Sequence, residues 1–265
     1  LEKGENWDME KKYLFFDIDG TLTDNSTKKI VTSAKWALDE LQRNGHFVAI
    51  ATGRAHYKAR GFMESIGLHH MVCCGGNGLV INDQLIQNIP LDREEAIRTY
   101  EKASALGYGV LAMLDDSIDV YTHNDDFRKQ CGDRKEPTRY IIDENFDIHQ
   151  AKEIYKLYVS VPRSEEEVFT KDDQLGHLRF VEDYLMFQHD RKKEGILDMM
   201  EHLQADPKDV VVFGDDYNDL VMFDDRWLSI AMGNACDALK EKADYVTDKN
   251  VDDGIWNACR HFGWI

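Results

Sequence analysis

Tyr13-Leu-Phe-Phe-Asp-Ile-Asp-Gly-Thr-Leu22 is the stretch on which the fold turns. Residues 13–18 are almost continuously apolar, the pattern of a strand covered on both faces. Asp17 and Asp19 stand two apart at its end, and Gly20 lets the chain turn sharply after them. Outward from this point, 31–44 read as a helix, with Ala34, Leu38 and Leu41 on one stripe and Gly45 as the stop. A second strand at 47–51, a helix at 56–66 closed by Gly67, and a third strand at 71–74 follow. Strands alternating with helices imply right-handed crossovers and a parallel sheet.

The same order returns near the C-terminus. Helices are expected at 194–203, 219–223, 237–242 and from Gly254, with strands at 210–213, 228–231 and 245–247. The middle differs. Gly75-Gly-Asn-Gly78 is a turn cluster, 79–81 and 85–87 form a hairpin, and 92–105 is a helix. Short strands then fall at 110–114, 120–122, 157–161, 178–180 and 185–188, while the charged stretch 115–147 has no clear periodicity. The expected class is α/β: a Rossmann-like parallel-sheet core, 1–84 with 190–265, interrupted by an α+β insert at 85–189.

The chain has 265 residues, 43% hydrophobic and 31% charged, which excludes a disordered or collagen-like protein. No apolar run approaches the length of a membrane helix, and 1–12 is polar with no signal-like segment. A soluble cytoplasmic protein is the expectation. The net charge of −18 argues against nucleic acid as a partner, because that binding needs a basic surface. Cys73, Cys74, Cys131, Cys236 and Cys259 are odd in number and fit neither a disulfide framework nor a zinc site. The tryptophans (Trp7, Trp36, Trp227, Trp256, Trp264) read as packing, and the histidines show no metal spacing.

Ligands of open parallel sheets bind at the carboxyl ends of strands, which is where Asp17 and Asp19 lie. Two such carboxylates can divide the labour, one ionised as nucleophile and one held protonated as acid. Gly214-Asp-Asp-Tyr-Asn-Asp219 occupies the same topological position after 210–213. Carboxylates from two strand ends can converge on one cation, and oxygen donors without Cys or His point to Mg²⁺. Asp215 or Asp216 could equally serve as a helix N-cap. Ala51-Thr-Gly-Arg54 offers the Thr52 hydroxyl and the Gly53 amide to a phosphate near a helix N-terminus. Lys192 or Lys193, ahead of the returning helix, could neutralise phosphate charge.

These four motifs occur in one order, and with them the chain resembles the haloacid dehalogenase-like hydrolases, in their Cof-type sugar-phosphatase branch with a type IIB cap. Asn77-Gly78, Met232-Gly-Asn-Ala235, Ala243-Asp-Tyr-Val-Thr247 and Asp253-Gly-Ile255 extend the likeness. The resemblance implies that Asp17 is a nucleophile forming an aspartyl-phosphate. It implies that Asp19 is the acid for the leaving oxygen and then the base for water. Thr52, Gly53, Lys192 and Asn218 would bind phosphate. Asp17, the Asp19 carbonyl, Asp215 and Asp219 would hold or support Mg²⁺. Lys192 is preferred over Lys193 because Lys192-Lys-Glu-Gly-Ile196 keeps all but the first glycine of the family's Lys-Gly-x-Ala/Gly-Ile pattern.

The expected reaction is Mg²⁺-dependent hydrolysis of a small phosphomonoester, with a phosphorylated metabolite as the partner and neither membrane nor protein partner evident. A phosphomutase would use the same aspartate pair. A non-catalytic phosphosugar-binding regulator would be expected to lack the nucleophile, and Asp17 and Asp19 are both present. The insert is expected to act as a lid that selects the leaving group.

Overall fold

The computed structural model describes residues 10–179 and 181–265. Trp7 and Phe180, the latter the end of the expected strand 178–180, lie outside the described residues. The chain opens with β1 (Tyr13–Phe16), α1 (Thr32–Arg43), β2 (Phe47–Ala51), α2 (His56–Ser65), β3 (Met71–Cys73), β4 (Gly78–Ile81) and β5 (Gln84–Asn88). The middle carries α3 (Arg93–Ala105), β6 (Val110–Met113), β7 (Asp119–Thr122), α4 (Asp126–Cys131), β8 (Arg139–Ile142), β9 (Lys156–Val159), α5 (Glu167–Thr170), β10 (His177–Leu178) and β11 (Leu185–Phe187). It closes with α6 (Lys192–His202), β12 (Val210–Gly214), β13 (Leu228–Ala231), α7 (Asp237–Lys242), β14 (Tyr245–Val246) and α8 (Gly254–His261).

Two compact units result. The first comprises Leu1–Gly53 (described from Glu10), Gly61–Ile86 and Arg191–Ile265; the second comprises Arg54–Arg60 and Gln87–Asp190. An eight-stranded sheet runs β14-β13-β12-β1-β2-β3-β4-β5, and its six strands from β14 to β3 are parallel. β1 lies at its centre, with Phe16 in register with Phe213 on one side and Ile50 on the other. Leu14, Phe15 and Phe16 have no exposed surface, as a strand covered on both faces requires. Full burial of each such side chain stabilises by about 1.5–3 kcal/mol. One core layer joins Phe15, Ala49, Val72, Ile196, Met199 and Val212, and so packs α6 against the sheet.

The second unit is built on a six-stranded sheet, β10-β11-β9-β6-β7-β8, antiparallel except for the β7–β8 pair. Its core gathers Ala96, Ile97 and Tyr100 of α3 with Val110, Leu157, Val159 and Phe187. Within the stretch 115–147, β7 answers to the strand expected at 120–122 and is largely buried, whereas α4 and β8 have exposed and half-exposed faces that blur any periodicity. The helix expected at 219–223 is instead a tight 3-10 turn, Tyr217–Met222, for a reason that belongs to the site. Among the described residues no helix is long and apolar enough to cross a membrane.

Candidate active site

Because β1 and β12 are parallel and in register, the residues following them emerge side by side. The Asp17 amide donates to the Phe213 carbonyl at 3.0 Å, which sets Asp17 beside the Gly214-Asp215 turn. Thr52 leaves the neighbouring strand β2, its amide bonded to the Val72 carbonyl at 2.9 Å and its side chain buried. Gly53, which follows it, is half-buried.

Asp219 is fully buried and organises the turn after β12. Its Oδ2 accepts from the amides of Asp215 at 2.9 Å and Asp216 at 3.2 Å, while the Asp216 carboxylate accepts from the Tyr217 amide. This reciprocal capping holds the turn tight over Tyr217–Met222. Asp216 is therefore the N-cap, and Asp215 is left to face the site. Thr21 donates its hydroxyl to Asp215 Oδ1 at 2.9 Å. Gly20 (φ +85°) lies so close that a Cβ there would fall 2.0 Å from Asp215 Oδ2. That residue must be glycine for both reasons.

Of the two adjacent lysines, Lys192 is the one that reaches the carboxylates. It opens α6 with 1% of its surface exposed, and its Nζ donates to Asp17 Oδ1 at 2.8 Å and to Asp219 Oδ1 at 2.6 Å. Lys193 points away, toward Asp224 at 3.5 Å. An ammonium so buried is tolerable only when paired and hydrogen-bonded, as here. Helix α6 reaches this position because Gly195 has no side chain. A Cβ there would lie 2.4 Å from the Gly76 carbonyl oxygen.

Asp17, Asp215 and Asp219 each offer a carboxylate oxygen within 4.8 Å of the others. Burial first, and then the charge of Asp219, raise the Asp17 carboxyl to about 7 against the pull of Lys192. Burial, followed by the charges of Asp17 and Asp219, raises Asp215 to about 8. Burial works against the Lys192 charge, but Asp17 and Asp219 outweigh it and hold the ammonium above the ordinary lysine range. Three carboxylates thus face one ammonium, a set of hard oxygen donors short of positive charge. A hard divalent cation fits that chemistry.

Of the residues expected from the sequence, the structure brings Asp17, Asp215, Asp219 and Lys192 into one buried cluster. Asp19 is half-buried on the loop after β1, in an isolated bridge with Thr23. Asn218 is half-buried in the capped turn. Sequence reading missed Thr21, although it stands inside the first motif. It also assigned no role to Asn234 or Asn250, which bond the Gly20 and Thr23 carbonyls.

Known proteins resemble this chain over almost its whole length. A family model described as haloacid dehalogenase-like hydrolase matches residues 14–259. YkrA of Bacillus subtilis, which carries a provisional phosphatase name, is 33% identical over 97% of this chain and 100% of its own. The 5-amino-6-(5-phospho-D-ribitylamino)uracil phosphatase YcsE of the same organism is 27% identical, covering 97% of each chain. Among solved structures, a hypothetical protein of Geobacillus kaustophilus superposes with a TM-score of 0.80 at 28% identity, over 97% of this chain and 100% of that one. The subclass IIB sugar phosphatase BT4131 does so at 0.78 and 25% identity, over 96% and 100%.

Proposed function

The chain belongs to the haloacid dehalogenase-like hydrolases and is a phosphatase, and from that premise we propose that it hydrolyses a small phosphomonoester, a sugar phosphate, through an aspartyl-phosphate on Asp17. The observation that carries this reading is the buried Lys192 bonded to both Asp17 and Asp219 beside Asp215. The sugar-phosphate class is supported by the names of two relatives, one a sugar phosphatase and one acting on a phosphorylated ribityl compound.

In the first step an Asp17 carboxylate oxygen bonds to phosphorus as the bond to the leaving oxygen breaks, and Asp19 gives that oxygen its proton. In the second step Asp19, now ionised, takes a proton from water as the water oxygen attacks phosphorus. Inorganic phosphate leaves and Asp17 is regenerated. The Thr52 hydroxyl, the Gly53 amide, Lys192 and Asn218 bind the phosphoryl oxygens, where charge spreads in the transition state. Asp17, Asp215 and the Asp19 carbonyl, supported by Asp219 and Asn218, are the groups that would hold Mg²⁺, which supplies the charge that lets a carboxylate meet a phosphate dianion. A cytoplasmic setting is supported by a cysteine set, odd in number, that fits no disulfide framework.

Phosphate release over a panel of phosphomonoesters, with Mg²⁺ or with EDTA, tests the proposal. Asp17→Asn should turn over at less than about a hundredth of the wild-type rate, since a covalent nucleophile is lost. Turnover above that level, or full activity in EDTA, would refute the mechanism.

A further inference from the structure

Two asparagines from the C-terminal part of the first unit grip the loop that carries Asp19. Asn234 follows β13 in Met232-Gly-Asn-Ala235, and Asn250 opens a short 3-10 turn, Asn250–Asp252. Asn234 Nδ2 donates to the Gly20 carbonyl at 2.9 Å, and its Oδ1 accepts from the Asn250 amide at 2.9 Å. Asn250 is buried, and its Nδ2 donates to the Thr23 carbonyl at 2.8 Å. Its Oδ1 accepts from the Val251 amide, so both ends of its side chain are fixed. The two side chains form one clamp with a hold on either side of the loop.

The loop needs such a hold. It closes on itself through Gly20 N–H to Thr23 C=O at 3.1 Å and Thr23 N–H to Ile18 C=O at 2.9 Å. Its joint is Gly20, immediately after Asp19, and this residue has to be glycine because of the approach of Asp215. Glycine brings torsional freedom to the point where the direction of the Asp19 carboxyl is set. The bond from Asn234 fixes the peptide after that joint, and the bond from Asn250 fixes Thr23, the bridge partner of Asp19. A misplacement of about 1 Å in a catalytic group can cost on the order of a hundredfold in rate.

We infer that Asn234 and Asn250 are positioning residues for Asp19, acting through the carbonyls of Gly20 and Thr23. The inference rests on the reading of Asp19 as acid and base. Its test is a double-mutant cycle in the whole 265-residue chain. Asn234→Ala, Asn250→Ala and Asp19→Asn are compared singly and combined, on p-nitrophenyl phosphate and on the alkyl phosphomonoester the enzyme hydrolyses fastest. Asn234 is exposed, so its alanine variant decides the question even if Asn250→Ala fails to fold.

In single-turnover formation of the phosphoenzyme, which isolates the acid step from the later hydrolysis common to both esters, Asn234→Ala should slow the alkyl ester about tenfold or more and the activated aryl ester much less, because only the poor leaving group needs the acid. KM should stay within about threefold, and in the Asp19→Asn background the asparagine substitution should cost nothing further. Equal losses on both esters, or losses that multiply with that of Asp19→Asn, would overturn the clamp alone. An Asp19→Asn enzyme with wild-type kcat would overturn the acid reading and the clamp with it.

Discussion

Lys192 shows how much chemistry one side chain can settle. Its ammonium is buried between Asp17 and Asp219, so its removal leaves two carboxylates facing each other without a counter-charge. Breaking a buried pair in this way typically costs about 3–5 kcal/mol, whereas loss of a half-exposed ion pair costs about 0–1. Lys192→Met, similar in length and apolar, should therefore destabilise the metal-free protein by several kcal/mol in urea unfolding and lose nearly all turnover. Lys193→Ala, which removes only the 3.5 Å contact to Asp224, should be close to neutral in both measurements. Equal effects from the two variants would contradict this assignment. The sequence had left the two lysines one residue apart and open, because adjacent helical positions differ by about 100° in direction and only packing fixes the phase.

At the scale of elements, the site depends on how closely α6 and the turn after β3 approach. Gly76 (φ +107°) and Gly195 meet backbone to backbone, with Val72 beside them. Gly195→Ala should force α6 outward and destabilise by about 1–3 kcal/mol, the usual range for overpacking. It should also lower kcat, because Lys192 begins the same helix. Gly61→Ala is the counter-example. It lies within α2, exposed and with nothing near its missing Cβ, and should stabilise by about 0.5–1 kcal/mol through helix propensity. Thermal melts and phosphate release on the two variants check both expectations. The motif spacing had kept Gly195 in view. That its role is the docking of a helix on Gly76 follows from a contact between distant segments.

At the scale of the whole molecule, the central strand of the first sheet has partners from both ends of the chain. Tyr13 pairs with Phe47 on one side and with Val210 on the other. The carboxylates Asp17 and Asp215 are brought together only when that sheet is complete. Any cation they hold binds the folded state alone and must raise its stability by linkage. Mg²⁺ at about a hundred times its Kd should add about 2.7 kcal/mol and raise the melting temperature by roughly 5–10 °C. EDTA should reverse the shift. Asp215→Ala should abolish it, and an undiminished shift in that variant would place the ion elsewhere. A chain of net charge −18 has a further reason to respond, since the cation relieves repulsion among three buried carboxylates.

Local pattern determined a good deal here. The apolar run 13–18, the alternation of strands and helices on either side of the insert, and the placing of Asp17, Thr52 and Asp215 at strand ends all follow from periodicity and from the glycines that stop the elements. These signals are written in neighbouring residues, so the sequence displays them directly. What the tertiary structure decided are relations between residues far apart in the chain. It paired Lys192 with Asp17 and Asp219, made Asp216 the cap and turned Asp215 inward, and drew Tyr217–Met222 into a 3-10 turn around the Asp219 carboxylate. It also set α4 and β8 in a stretch where mixed exposure hides any pattern. Gly20 and Gly195 belong to both accounts. Each could be read as a turn or motif glycine, but only the fold supplies the Asp215 carboxylate and the Gly76 carbonyl that leave no room for a side chain. A hydrogen bond or steric exclusion between distant segments leaves no periodic trace, because its partner is fixed by the path of the chain and not by its neighbours.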